Sequence, residues 1–131
     1  MSDARSMEDA KKMLQISYDA LDEKKADDIT VIDIHDVSTI ADYYVITNGE
    51  NANHVQALVE NVQEKMFKAG YACRSLEGYK AANWVLMDYG DIVVHVFYRD
   101  TRAEYQLERL WADGDQVDIS NLLIDESGAD K

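Results

Sequence analysis

Cysteine, basic residues and long apolar runs are all scarce in this chain of 131 residues. Its single cysteine, Cys73, excludes an intramolecular disulfide and favours a reducing compartment. No apolar run approaches the roughly eighteen residues of a membrane-spanning helix, and residues 1–12 lack the features of a signal or transit peptide. We therefore expect a soluble, cytoplasmic protein with no membrane partner.

The balance of charge is strongly acidic, because 13 lysines and arginines oppose 26 aspartates and glutamates, a net charge of −13. A chain this acidic is repelled by phosphate backbones, which argues against direct reading of nucleic acid. Such charge either serves solubility alone or steers a basic protein partner towards the surface. The apolar fraction of 47% and the length fit one domain with a single core.

Three segments show the apolar spacing of amphipathic helices, at residues 6–21, 55–70 and 101–111. The first and third each open on a serine or threonine with an acid three residues later, which is the capping box that satisfies the first backbone N–H groups. The second ends at Gly70, since glycine commonly follows the last turn of a helix.

Five stretches have the composition of strands, at residues 29–37, 42–48, 71–76, 83–88 and 91–98. The last is apolar on both faces, which favours a central place in the sheet. The order αββαβββα has no repeat or linker and predicts an α/β fold, a single domain over residues 1–131. We expect a mixed sheet of about five strands packed by helices. Residues 117–123 should be partly ordered before a frayed acidic tail at 124–131.

Three histidines and nearby acids raise the question of a metal site. No two of the histidines stand at i, i+4 on a helix, and the lone cysteine has no partner at a ligand spacing. A histidine inside an apolar strand is usually a core residue, and one on the first turn of a helix usually caps it. We therefore expect no metal. The candidate ligands are His35, His54 and His95 with Asp33, Asp36 or Asp88.

A nucleophilic cysteine is poorly supported by the sequence. Arg74 stands beside Cys73 and would lower the pKa of its thiol. However, Cys73 lies in a predicted strand, without the loop and base that a nucleophile needs. We expect a half-buried structural thiol.

Nucleotidyl transfer would need two carboxylates for Mg²⁺ and a turn that binds phosphate. Gly49 lies between a predicted strand and a helix, but Glu50 and Asn51 follow it and put an anion where phosphate would sit. The only Asp-x-Asp, at Asp113 and Asp115, lies in the acidic C-terminal region. The sequence thus offers no catalytic residues and no cofactor site.

Residues 77–95 hold the remaining cluster of functional residue types, which would suit either an active site or a protein-binding surface. In a regular strand Trp84 and Asp88 share one face, and Met87 and Tyr89 share the other. One face must cover helices, while tryptophan, tyrosine and acids on the other are residue types that anchor interfaces. The alternative is that Trp84 is simply part of the core.

Several motifs follow one another along about nine-tenths of the chain: DVSTIADYYVITNG (36–49), His54, Glu77-Gly78, WVLMDYGDIVVHVF (84–97), Arg102, YQLERLW (105–111) and ADGDQVDISNLL (112–123). Together they resemble the ribosomal silencing factor family, RsfS, also called Iojap-like. The family tends to have serine at the position of Asn51 and phenylalanine at Tyr44. It also often has a proline before Glu77, whereas this chain has no proline.

The resemblance implies a reduced nucleotidyltransferase fold without the catalytic carboxylates. It implies binding to the large ribosomal subunit through its ribosomal protein number fourteen, on the face that meets the small subunit. Such a protein would block subunit joining and lower translation when nutrients run short. It would be no enzyme, and homodimers are expected.

The partner-binding residues are expected on the hairpin and the loop before it. The family match supports this region, and the choice of the face that carries Trp84 is our own inference. A nucleotidyltransferase-like or metal-dependent enzyme and a generic acidic adaptor for a basic protein remain the alternatives. The expected contact residues are Glu77, Tyr79, Trp84, Leu86, Asp88 and Tyr89.

Overall fold

The computed structural model describes residues 7–34, 41–99 and 115–117. Two helices and six strands lie within these ranges. They are α1 (Met7–Glu23), β1 (Asp27–Asp33), β2 (Tyr43–Gly49), α2 (Ala52–Lys68), β3 (Ser75–Glu77), β4 (Trp84–Asp88), β5 (Ile92–Tyr98) and β6 (Asp115–Val117).

The strands form one mixed sheet in the order β3-β4-β5-β2-β1-β6. β2 and β5 are parallel, and the other neighbouring strands are antiparallel. This confirms the predicted single α/β domain with a mixed sheet. The sheet is one strand wider than predicted, because the short β6 pairs with β1 at Val31, Ile32 and Asp33.

Both helices pack on the same face of the sheet. Their apolar residues recur every three or four positions, so each helix buries a single stripe. From α1 the stripe includes Met13, Leu14 and Leu21, and from α2 it includes Leu58 and Val62, all within one core cluster. The strands contribute the alternate residues that point towards the helices, Val31, Val45, Val85, Met87, Val94 and Val96.

β5 lies inside the sheet, with β4 on one side and β2 on the other. Residues Ile92 to Phe97 are all buried, which is the pattern of a strand that is covered on both faces. The prediction of a central strand from its apolar composition is confirmed.

The predicted strand at 71–76 is wrong for most of its length, because only Ser75–Glu77 pairs with the sheet. After α2, Gly70 adopts a positive φ of 97°, and the N–H of Tyr71 donates back to the carbonyl of Met66. The chain therefore uses residues 71–74 to travel from the end of the helix to the sheet edge. Gly70 does mark the end of α2, as predicted.

Some predictions fall outside the described residues. These are the third helix at 101–111, the C-terminal tail at 124–131, and the candidate ligands His35 and Asp36. Within the described ranges no helix is long and apolar enough to cross a membrane.

Candidate functional site: the aromatic face of the sheet

The sheet face opposite α1 and α2 carries a cluster of aromatic side chains, which we call the aromatic face. Across β4 and β5, Trp84 pairs with Phe97 and Leu86 pairs with His95. Directly opposite residues of an antiparallel pair project to the same side, so these four lie on one face. The aromatic face is formed by Tyr44, Trp84, Leu86, Asp88, His95 and Phe97.

Burial along β4 alternates as a strand requires. Trp84, Leu86 and Asp88 are half-buried, whereas Val85 and Met87 are fully buried against the helices. Trp84 is thus neither an ordinary core residue nor a free surface residue, and a partner contact by Trp84 stays a prediction.

Tyr89 lies on the other side, and its predicted contact role needs correction. It continues the alternation of Val85 and Met87, so its side chain is fully buried in the helix-side core. Burial raises the pKa of its phenol well above the usual range, with the Cys73 thiol close by as a further cause. A fully buried side chain cannot touch a partner, and Tyr89 therefore leaves the expected contact set.

Tyr79 also lies away from the aromatic face. It packs against the helix-side core, its hydroxyl donates to the carboxylate of Glu60, and its carbonyl accepts from Gln56 Nε2 at 3.0 Å. The hydrogen bond to Glu60 is the main cause of a raised pKa for the Tyr79 phenol. Tyr79 thus ties the loop before β4 to helix α2, while Glu77, opposite Leu86 in the sheet, projects to the aromatic face.

Trp84 is held by neighbours on the aromatic face. Its indole Nε1 donates to Nδ1 of His95 at 2.9 Å. Its ring stacks on Phe97 with centroids 5.4 Å apart and planes 23° from parallel. On the neighbouring strand, Tyr44 meets the His95 ring edge-on, with centroids 4.4 Å apart. The indole of Trp84 is therefore partly accessible and packs against the rings of His95 and Phe97.

His95 is a core histidine, as its apolar strand predicted, with a side chain only 2% exposed. Burial lowers its pKa to about 3, so the ring is neutral at physiological pH. Nδ1 accepts the indole hydrogen bond, whereas Nε2 has no hydrogen-bond partner within the described residues. Sequence reasoning did not connect His95 with Trp84. The hairpin register, which pairs His95 with Leu86 next to Trp84, is the signal that could have found it.

Acidic groups border the aromatic face. Asp88 accepts a hydrogen bond from the N–H of Gly90 at 2.8 Å through Oδ1, which holds its carboxylate at the turn into β5. Glu77 is exposed at the neighbouring edge strand. An aromatic anchor with acids around it is the composition expected of a surface that binds a basic protein.

The N-terminus of α2 is satisfied by the chain itself. The Asn51 side chain accepts from the N–H of His54 at 2.8 Å, and the N–H of Glu50 donates to His54 Nδ1 at 2.9 Å. A Cβ at Gly49 would lie 2.8 Å from a methyl carbon of Val55, so the strand and the helix start are in close contact. These contacts confirm His54 as a capping residue. They also occupy two N–H groups that a phosphate would otherwise need.

The described residues give little support to a nucleophilic cysteine or a metal site. Cys73 is half-buried, as predicted, and its Sγ lies 3.2 Å from the carbonyl of Ser75. Burial raises the pKa of its thiol, which is the opposite of what a nucleophile needs. The described part of the chain holds no group of three or more His, Cys, Asp or Glu residues placed to bind a metal ion.

Comparison with known proteins finds relatives that cover most of this chain. The family model described as "Ribosomal silencing factor during starvation" (RsfS) matches residues 7–131. A ribosomal silencing factor of Halalkalibacterium halodurans is 38% identical over 112 residues, which cover 86% of this chain and 96% of that protein. A mouse protein named mitochondrial assembly of ribosomal large subunit protein 1 is 35% identical over 107 residues, covering 78% of this chain and 46% of the mouse protein.

A solved structure extends the similarity to the fold. A crystal structure of a Bacillus halodurans protein superposes with a TM-score of 0.73 at 37% identity, covering 82% of this chain and 97% of that one. The matches in sequence and in fold thus define a small α/β domain of a ribosome-associated class. The chain belongs to the ribosomal silencing factor (RsfS) family. This membership implies a regulator of translation that acts at the ribosome, and the family names point to a regulatory factor rather than an enzyme.

Proposed function

We propose that this protein binds the large ribosomal subunit through its ribosomal protein number fourteen and sterically blocks joining of the small subunit. Translation would then fall under nutrient limitation, in keeping with the family description of silencing during starvation. The name of the mouse relative, which refers to assembly of the large subunit, supports that subunit as the target.

One structural observation carries the proposal, namely the half-buried indole of Trp84 on the aromatic face with acids at its border. The residue provides a wide, rigid apolar area, since it is stacked on Phe97 and hydrogen-bonded to His95. Aromatic side chains of this kind act as interface anchors. The surrounding carboxylates of Glu77 and Asp88 suit a basic ribosomal protein, and the net charge of −13 speeds the encounter.

The mechanism needs occupancy and no chemistry. A protein that covers a surface shared by the two subunits prevents their joining for as long as it is bound. The fraction of subunits that are blocked then depends only on affinity and concentration. We further propose that the protein is cytoplasmic and forms a homodimer, and light scattering after size exclusion tests the assembly state.

Sedimentation of ribosomal subunits tests the function. Purified large and small subunits are mixed, at a magnesium concentration that allows joining, with and without a several-fold excess of the protein. We expect the protein to migrate with the large subunit and the joined-ribosome peak to shrink. An unchanged joined peak contradicts the proposal, and capture of a different basic protein by the same sample would favour the adaptor alternative.

A further inference from the structure

We propose that His95 is a positioning residue for partner binding, which holds the indole of Trp84 in its binding orientation from beneath the aromatic face. The inference rests on the proposed function, because it names a residue that acts on the same surface. It assigns a role to a buried histidine that does not itself reach a partner, since only 2% of its surface is exposed.

The geometry singles out one hydrogen bond. Trp84 Nε1 and His95 Nδ1 are 2.9 Å apart, and the two residues lie on adjacent strands, with His95 opposite Leu86. An indole N–H is a donor only, so the bond requires an unprotonated Nδ1. The neutral ring therefore carries its proton on Nε2, and this tautomer presents Nδ1 to the indole.

The position of the His95 ring is itself set by aromatic neighbours. Tyr44 meets it edge-on, with centroids 4.4 Å apart, and the Phe97 ring lies nearly parallel to it at 9°. Because these neighbours lie on two strands, Tyr44 on β2 and Phe97 on β5 itself, rotation of the imidazole would disturb both ring contacts. His95 thus presents a fixed acceptor to the one large side chain that is expected to meet the partner.

The advantage of such an acceptor is entropic. A half-buried tryptophan that is free to change rotamer must be ordered when it binds, which lowers affinity by roughly two- to twelvefold. An indole that is already held in place avoids this cost. Removing the acceptor should therefore weaken binding even though no contact to the partner is lost.

Two variants of matched shape separate positioning from packing. His95→Asn places an amide oxygen near the position of Nδ1 and keeps an acceptor. His95→Leu has the same branching at Cγ but no acceptor. Both remove the imidazole ring and its aromatic contacts, so they differ mainly in the hydrogen bond to Trp84.

The test combines binding to purified large ribosomal subunits with NMR of the Trp84 indole N–H, assigned by its loss in Trp84→Phe. We expect His95→Leu to bind roughly three- to tenfold more weakly than His95→Asn. Its indole N–H should also exchange faster with solvent. In a Trp84→Phe background, which lacks the donor, the two His95 variants should bind alike, because the coupling is removed.

The outcomes are distinct. Equal binding of both variants, with the wild type bound, overturns the positioning role and leaves the proposed function standing. If the wild type does not bind, the proposed function is overturned. The indole exchange rates still test the positioning role in that case, because equal rates in the two variants would show that His95 does not hold the indole. If the melting temperature shows that either variant is poorly folded, His95→Gln is compared with the wild type instead. Glutamine reaches the position of Nε2 rather than that of Nδ1, so it should behave like His95→Leu.

Discussion

Gly78 lies directly against the backbone carbonyl of Trp84, so close that a Cβ at position 78 would overlap the carbonyl oxygen. Its φ of +81° is a conformation that other residues adopt only with strain. The loop then closes through a hydrogen bond of 3.0 Å from the N–H of Ala82 to the carbonyl of Gly78. The start of β4, and therefore the position of the Trp84 indole, thus depends on glycine at position 78.

Gly78→Ala should therefore disturb both stability and partner binding. The left-handed backbone alone costs roughly 1–2 kcal/mol for a residue with a Cβ, and the overlap must be relieved by moving the start of β4. Urea unfolding and binding to large subunits measure the two effects. Gly70→Ala is the matched control, because Gly70 also has a positive φ, of 97°, but has nothing within 4 Å of the added Cβ. It should lose comparable backbone stability and keep its affinity, and equal binding losses in both variants would contradict a specific role for Gly78.

Trp84→Ala should weaken binding to the large subunit by at least about thirtyfold, as truncation of an interface anchor does. Because the side chain is only half-buried, the free energy of unfolding should fall by about 1–2 kcal/mol, less than for a core tryptophan. The control is Val85→Ala, one residue along the same strand on the buried face. It should lose about 2 kcal/mol of stability and bind normally when folded. The reverse pattern in the two variants would show that the partner does not bind the face of β4 that carries Trp84.

Acidification should lower the stability of the protein, because His95 is buried in its neutral form. Its folded-state pKa is lowered to about 3 by burial, whereas the unfolded chain binds a proton near the ordinary value of 6.5. Between these values the unfolded state holds more protons, so stability that is complete above about pH 6.5 declines as the pH falls. From pH 7 to 5 the wild type should lose about 2 kcal/mol more than His95→Asn. Urea titrations at the two pH values measure this, and parallel losses would contradict the assignment to His95.

Removing charge at the border of the aromatic face should slow binding at low salt. Asp88→Asn keeps the Oδ1 that accepts from Gly90, at 2.8 Å, so the turn is preserved while the charge is lost. Combined with Glu77→Gln it should lower the association rate several-fold at low ionic strength, with little effect near 1 M salt, where the screening length is about 3 Å. Surface plasmon resonance with large subunits measures the rates. The same loss at all salt concentrations would mean that the acids act by contact rather than by charge.

The pattern of residues along the chain determined the helices and most strands. Apolar spacing of three and four residues predicts α1 and α2, and the continuous apolar run of β5 predicts its central place, because these signals depend only on neighbours in sequence. The alternation along β4 likewise predicts that Trp84 and Val85 project to opposite faces of the sheet. For the short stretch at 71–76 the same kind of signal was wrong, since a few β-compatible residues do not decide whether an edge strand pairs.

The tertiary structure alone decided which of the expected contact residues share a surface. Alternation placed Tyr89 with Met87 but could not say which of the two faces α1 and α2 would bury. Tyr79 lies on the helix side because its hydroxyl meets Glu60, 19 positions earlier in the chain. The bond between Trp84 and His95 spans two strands and follows from the register of β4 and β5. Register is set by turn geometry and by what each face packs against, so it is a property of the folded sheet rather than of any single segment.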